Sequence, residues 1–309
     1  MAAIEVEGLV KRYGPLAAVD GIEFAVPSGS IFAFLGPNGA GKTTTTEILE
    51  GLRRRSAGTV RVLGLDPWTE GNALHRRIGV IPQDFRFFEK ITAKEAIEYY
   101  RTLFHTEVDP GELLAKVELL DKIHARYDTL SGGQKQKLGL ALALTNDPEI
   151  CFLDEPTTGL DPHARRAIWA VIRGLQRDGK TVFLTTHYLE EAELLADRVA
   201  IIHHGKIIAS GTPSEIIQAH GQEERISIEG PGALATVLHD RLGLSALYAE
   251  GRVEVALTDK RDVLRVLNAV EESGLPWQRF QTHQDTLEDV FVRLVGRMDE
   301  GALKSETPP

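Results

Sequence analysis

Gly36-Pro37-Asn38-Gly39-Ala40-Gly41-Lys42-Thr43 follows the apolar run Ser30-Ile31-Phe32-Ala33-Phe34-Leu35 and precedes three more threonines. The spacing fits G-x-x-x-x-G-K-[ST], a loop whose glycines let the backbone curl until several N–H groups converge on phosphate oxygens. A helix opening behind it adds the positive end of its dipole. The run in front shows no alternation, as expected of a strand buried on both faces. Lys42 is then placed to reach the β- and γ-phosphates of a nucleoside triphosphate, the Thr43 hydroxyl to ligate Mg2+, and Thr44 to donate to the α-phosphate. A chain of this length matches the pattern by accident on the order of once in a hundred, and the strand–loop–helix setting lowers that.

Ile150-Cys151-Phe152-Leu153-Asp154-Glu155 is a second apolar run, ending in two carboxylates. Beside a phosphate loop, Asp154 suits the Mg2+ shell and Glu155 suits a general base that polarises the attacking water. Leu130-Ser131-Gly132-Gly133-Gln134 precedes a helix rich in Leu and Ala, and so offers a second anion cradle at a helix N-terminus. One nucleotide does not need two cradles. Two chains placed head to tail would each give a phosphate loop to one ATP and Ser131–Gln134 to the other, and ATP would then hold a dimer together.

Further out, Thr181-Val182-Phe183-Leu184 reads as a third buried strand. Helices are expected over 47–54, 135–144 and 164–177. Strands alternating with helices give an α/β fold with a mainly parallel sheet. Residues 84–130 lack strand-like runs, and 93–104 and 112–120 read as helices, so this stretch is expected to be an inserted helical subdomain. The first domain is expected to span 1–221. Residues 222–298 then read β-α-β-β-α-β: strand 225–229, helix 232–242, a hairpin 247–257 turning at Glu250-Gly251, helix 260–273, strand 277–282 and helix 286–295. That order matches the split βαβ plan of a ferredoxin-like α+β domain. The polar tail 299–309 is expected to be disordered.

The chain has 309 residues, 42% hydrophobic and 26% charged, with a formal net charge of −10. Residues 222–309 carry 10 basic and 16 acidic side chains, consistent with a separate module. The negative balance argues against a general nucleic-acid surface. No apolar run reaches the roughly 18 residues that cross a bilayer, and the N-terminus lacks a secretory plan. A single cysteine, Cys151, fits a reducing compartment. If the protein acts on a membrane, a partner must span it.

On these motifs the chain resembles the nucleotide-binding subunit of an ATP-binding cassette (ABC) transporter, over residues 4 to about 220. The resemblance implies an ABC-type P-loop ATPase domain and roles for further residues. Tyr13 matches the aromatic that stacks on adenine. Gln83, in Ile81-Pro82-Gln83, matches the glutamine joining the sheet to the helical subdomain and touching Mg2+ and water. Asp161, in Gly159-Leu160-Asp161, matches the loop residue that reaches the opposite site. His187 matches the switch histidine on the γ-phosphate. No position departs from the pattern, so both composite sites of a homodimer should be competent. Thr286-Leu287-Glu288-Asp289-Val290-Phe291 resembles the ending of export-type subunits for antibiotics and related compounds.

The expected protein is therefore an ATPase subunit using ATP and Mg2+, a homodimer or heterodimer on a separate transmembrane permease, cytoplasmic and peripheral on the inner face of the cell membrane. Import, with a regulatory C-terminal domain, or a non-transport ABC ATPase is the alternative. Only 87 residues separate Thr43 from Ser131, with no heptad run, which disfavours the coiled-coil DNA-repair members. Plainer readings apply elsewhere. His203-His204 lack ligand spacing, Cys151 reads as a core residue, and Arg53-Arg54-Arg55 reads as a solvated helix end. Phe85, Phe87 and Phe88 suit either a subdomain core or a groove for a membrane partner.

Overall fold

Ile22, Phe24 and Val26 alternate with Glu23 and Ala25, the period of a strand with one covered face. The computed structural model, which describes residues 2–221, 225–257, 261–283 and 285–305, builds an antiparallel sheet there. Its strands are β1 (Ala2–Tyr13), β2 (Leu16–Pro27) and, after β3 (Ile31–Leu35) and α1 (Lys42–Leu49), β4 (Ala57–Val62), in the order β2-β1-β4. This sheet was not anticipated, although the alternation was there to be read. The chain continues through α2 (Gly71–His75), β5 (Ile78–Ile81), α3 (Ala93–Phe104), α4 (Pro110–Lys116), α5 (Gly132–Ala143), β6 (Ile150–Asp154), α6 (Pro162–Arg177), β7 (Thr181–Thr186), α7 (Leu189–Leu195), β8 (Arg198–His203), β9 (Lys206–Gly211) and α8 (Pro213–His220).

The main sheet has the order β5-β6-β7-β3-β8-β9. Neighbours from β5 to β8 are parallel, and β9 is antiparallel to β8. Every residue of β3 is at most 1% exposed, so both faces are covered, as its unbroken apolar run requires. One face meets the antiparallel sheet through Phe24, Phe32, Phe34, Phe152 and Phe183, whose ring centroids lie 5.4–6.2 Å apart. Burying one such ring is worth about 2–3 kcal/mol. The other face carries helices through Leu138, Leu142, Leu153, Ile168 and Ile172. Between β5 and β6 the described residues form no strand. A reciprocal Thr92–Glu95 cap starts α3 there, satisfying the helix's open N–H groups.

Some helix limits differ from expectation. The chain around Glu47–Arg54 is helical from Lys42 to Leu49 instead. Gly41 (φ 111°) turns the loop directly into α1, and Gly51 (φ 75°) follows its end. The three arginines therefore lie beyond the helix, and two of them are engaged. Arg53 pairs with Glu47, and Arg55 grips Asp66 with contacts of 2.6 and 3.2 Å. Ser131 and Asp161 act as caps, so α5 and α6 begin earlier than expected.

The chain divides into two compact units, Met1–Glu215 and Ile216–Pro309. The border precedes residue 221 because Ile216 is buried and Arg293 donates to the His220 carbonyl at 2.5 Å. The second unit holds β10 (Arg225–Glu229), α9 (Ala233–Leu242), β11 (Ala246–Ala249), β12 (Arg252–Ala256), α10 (Asp262–Ser273), β13 (Arg279–His283) and α11 (Leu287–Ser305). Its strands are antiparallel in the order β11-β12-β10-β13. Glu250 (φ 51°) and Gly251 (φ 80°) both take left-handed backbone, the geometry of a two-residue hairpin turn with matching twist. The expected disordered tail is helical as far as Ser305, since no proline interrupts the run after α11 starts. The rest of that tail, 306–309, and Lys260 of the expected helix lie outside the described residues.

Candidate active site

Four neighbouring parallel strands, β5-β6-β7-β3, release the chain at one edge of the main sheet. Strands lie about 4.8 Å apart, so the four following loops share a strip roughly 15 Å wide. The site residues are thereby gathered from distant sequence. Gln83 follows β5, Asp154 and Glu155 close β6, His187 follows β7, and Gly36–Thr43 follows β3. Ligands collect at such carboxyl ends in open α/β sheets.

The loop can be tight only because of its glycines. A Cβ on Gly36 would stand 2.2 Å from the Ile202 carbonyl oxygen, and one on Gly41 2.5 Å from that of Ala18. The four threonines of α1 then divide by face. Thr45 and Thr46 are buried and donate to the Gly41 and Lys42 carbonyls at 2.9 and 3.1 Å. Thr43 is exposed and Thr44 half-buried, on the side where a cleft of about 150 Å³ is lined by Asn38, Gly39, Gly41, Lys42, Gln83 and Glu155. Lys42 Nζ donates to the Gly36 and Pro37 carbonyls at 2.7 and 3.3 Å, and stands 3.7 Å from Glu155 Oε1. Ala40 is buried under the loop.

Glu155 is 7% exposed and takes left-handed backbone (φ 48°), unusual for a residue with a Cβ. Its Oε2 accepts from Gln83 Nε2 at 3.0 Å and Thr158 Oγ1 at 3.1 Å, and lies 3.1 Å from His187 Nδ1. Asp154 accepts from the Thr185 hydroxyl, which itself accepts from the Glu155 N–H at 3.1 Å. Burial pushes the Asp154 carboxyl above the usual range; the Thr185 bond opposes this and the Glu155 charge adds to it. Burial likewise lowers Lys42, against the pull of Glu155 and Asp154. Thr158 and Thr185 were not foreseen. Thr185 directly opposes Asp154 across the sheet, a pairing visible only once the strand order is known.

The residues fit Mg2+. A hard divalent ion takes oxygen donors and keeps several waters, so few protein ligands suffice. Asp154 is half-buried beside a second carboxylate, and Thr43 and Gln83 line the cleft together with Glu155, so oxygen donors from three segments adjoin it.

Other expected residues lie apart from this cluster. Tyr13 ends β1, with Lys11 Nζ 5.0 Å and Arg53 Cζ 5.5 Å from its ring centre. Ser131 caps α5: its Oγ accepts from the Gln134 N–H at 3.3 Å, and Gln134 Oε1 accepts from the Ser131 N–H at 2.9 Å. Asp161 caps α6, accepting from the His163 and Ala164 N–H groups at 2.9 Å. A Cβ on Gly133 would meet Ala164 at 2.9 Å, so the cradle of Gly132 and Gly133 adjoins the start of α6. Among the described residues no hydrogen bond or ion pair links Ser131–Gln134 to the phosphate loop. Phe85 and Phe87 pack on the core, whereas Phe88 is 60% exposed. Cys151 is buried, which raises its thiol to about 12.

Glu50, at the end of α1, is 5% exposed. Burial, with Asp154 and Glu47 nearby, pushes its carboxyl up to about 8 from 4.5. Below pH 4.5 both folded and unfolded chains hold the proton. From pH 4.5 to 8 only the unfolded chain ionises, so stability is lost as pH rises and levels off above pH 8. Glu50→Gln removes the loss. Its thermal midpoint should exceed that of the unmodified protein by on the order of ten degrees at pH 8 and by little at pH 5, since a rise from 4.5 to about 8 is worth on the order of 5 kcal/mol at about 1.4 kcal/mol per pKa unit. Melting in EDTA at both pH values checks this.

Comparison with known proteins agrees with the geometry. A family model described as ABC transporter matches residues 19–158. A daunorubicin resistance ATP-binding protein, DrrA3, of Streptomyces coeruleorubidus is 36% identical over 95% of this chain and 96% of its own. A Nod factor export ATP-binding protein I of Burkholderia orbicola (strain AU 1054) is 38% identical over 96% and 98%. Among solved structures, an ATP-binding subunit of an ABC transporter matches with TM-score 0.63 and 27% identity over 71% of this chain and 93% of that one. A dimeric bacterial ABC transporter cassette, MJ0796, matches with TM-score 0.60 and 27% identity over 68% and 98%. The chain belongs to the ABC transporter family, as an ATP-binding and ATP-hydrolysing subunit with the family's P-loop fold of mixed α/β sheets.

Proposed function

We propose that this subunit drives export of a small, drug-like molecule through a separate transmembrane permease, on the inner face of the cell membrane. Among the described residues no helix is long and apolar enough to cross a membrane. The reading of export rests on the two relatives named for resistance and export, similar along nearly their whole length. A groove of about 380 Å³ lined by Leu52, Val80, Tyr100 and Phe104, with Phe88 exposed nearby in sequence, would receive a permease helix. In this reading α3–α5 form the helical subdomain, and the second unit, whose strand order suits a ferredoxin-like domain, steadies the dimer.

The observation that carries the mechanism is the separation of the two anion cradles. Lys42, Gln83, Glu155 and His187 adjoin one phosphate loop, while no hydrogen bond among the described residues ties Ser131–Gln134 to it, which supports a role for Ser131–Gln134 at the loop of a second chain. ATP lies on the amides of Gly36–Thr44, with adenine against Tyr13 and the γ-phosphate under Lys42. Thr43, Gln83 and Asp154, with water, would hold Mg2+, which when bound would supply positive charge to the phosphates. Ser131, Gly132, Gly133, Gln134 and Asp161 of the opposite chain close over the γ-phosphate. Gln83, Thr158 and His187 occupy the Oε2 of Glu155 in this state. Once Lys42 and His187 turn to the γ-phosphate, Glu155 can take the proton of the attacking water. Loss of the γ-phosphate then removes the link between the chains, and differential affinity for ATP and ADP does the work.

If the site needs two chains, ATPase activity per chain should rise with protein concentration, and Ser131→Arg should abolish the rise while leaving ATP binding intact. Constant activity per chain down to nanomolar concentration would count against the shared site. The permease reading is checked by co-purification of a multi-helix membrane protein with this subunit from detergent-solubilised membranes, and by its loss on Phe88→Arg.

A further inference from the structure

Glu191 lies on α7, four residues after His187, and is wholly buried. Its Oε1 accepts two hydrogen bonds, from Thr157 Oγ1 at 2.9 Å and from the indole Nε1–H of Trp169 at 2.8 Å. Thr157 is also fully buried and comes two residues after Glu155. Trp169 lies two turns into α6, the helix that Asp161 caps. One oxygen atom thus gathers the loop after Glu155, the helix begun by Asp161 and the helix that follows His187. A second tie joins the same parts. Arg165, one turn into α6, sets its guanidinium 4.5 Å from the Tyr188 ring centre, and that ring lies 4.2 Å from the His187 ring.

Placing a carboxyl here is expensive, because burial alone raises its pKa above the ordinary range. An apolar side chain would fill the same space at less cost. Among the described residues no hydrogen bond or ion pair joins Glu191 to the phosphate loop or to Asp154 or Gln83, so the cost is not met by nucleotide binding. What the carboxyl supplies is a double acceptor between three segments that must move together.

We propose that Glu191 is a positioning residue that binds the Glu155–Asp161 segment to the His187 helix, so that a push on Asp161 from the opposite chain displaces Glu155 and His187 as one block. Only Glu191→Ala breaks the block; Glu191→Gln keeps an accepting Oε1 for both donors. Thr157→Val removes one donor and Thr157→Ser restores it.

The test measures steady-state Mg-ATP hydrolysis and equilibrium binding of a fluorescent ATP analogue on the full chain. Glu191→Ala should lower kcat about 30-fold, with KM and analogue affinity within about 3-fold, because a displacement near 1 Å costs up to 10²-fold in rate without touching the phosphate contacts. Glu191→Gln and Thr157→Ser should stay within about 3-fold of the unmodified rate, and Thr157→Val should fall about 10-fold. Glu191→Ala with Thr157→Val together should be no slower than Glu191→Ala alone, since both cut the same bond. A Glu191→Ala protein with unchanged kcat, a Glu191→Gln protein as slow as Glu191→Ala, or fully multiplicative losses would each overturn the inference. Should Glu191→Ala not fold, the Thr157 pair decides: Val slow and Ser restored supports it, both alike overturns it. The inference rests on Glu155 as base. An active Glu155→Gln protein defeats that reading first, whereas an active Glu191→Ala beside an inactive Glu155→Gln defeats this inference alone.

Discussion

Replacing Glu155 by Gln should cut ATP turnover roughly a thousand-fold, the scale lost when a positioned general base is removed. The substitution keeps the size of the side chain and one acceptor oxygen, which can stand where Oε2 now lies. It keeps donors Gln83 and Thr158 within reach, at 3.0 and 3.1 Å of the present Oε2. It removes the only property the chemistry needs, the ability to take a proton from water. ATP should still bind, because Lys42 and the loop amides are untouched. Lys42 even loses a competing anion, now 3.7 Å away. Single-turnover hydrolysis with excess enzyme separates the chemical step from product release. Turnover within 10-fold of the unmodified protein would remove Glu155 from the role of base.

Lys42→Ala should abolish measurable hydrolysis and weaken ATP binding by about 10²-fold or more, the worth of one to two charge-assisted hydrogen bonds. Lys42 is 6% exposed and held between its own loop carbonyls and Glu155. Burial already lowers its pKa, so a phosphate anion restores a partner that the desolvated ammonium lacks in full. Its loss leaves the buried Glu155 and the half-buried Asp154 without the Lys42 ammonium. Equilibrium binding of ATP, read against an unchanged thermal midpoint, checks the effect. Near-normal affinity would mean that the backbone amides carry the phosphates alone.

Much of this was legible in the residues, and the reasons are specific. The phosphate loop could be read because glycine spacing and a following helix are local, and φ 111° at Gly41 shows why no other residue would serve. The strands around Phe32, Phe152 and Phe183 could be read because buried parallel strands have unbroken apolar runs. The Glu250-Gly251 hairpin could be read from Gly251, which accepts the left-handed backbone (φ 80°) that such a turn requires. The antiparallel sheet was missed because its strands, β1 and β2, pair with register shifts and carry polar residues within them. The start of α1 was missed because the helix opens on Lys42 and four threonines, poor helix formers held by the loop before them. The ties at Thr185 and Glu191 were invisible for another reason. They depend on which strand or helix lies beside which, and no sequence spacing encodes that.

The most direct test of a shared site is sedimentation of the Glu155→Gln protein with and without Mg-ATP. The account predicts a monomer without nucleotide and a dimer with ATP, reverting to monomer with ADP or when Ser131→Arg is added. A chain that stays monomeric with saturating ATP, or dimerises equally with ADP, would contradict it.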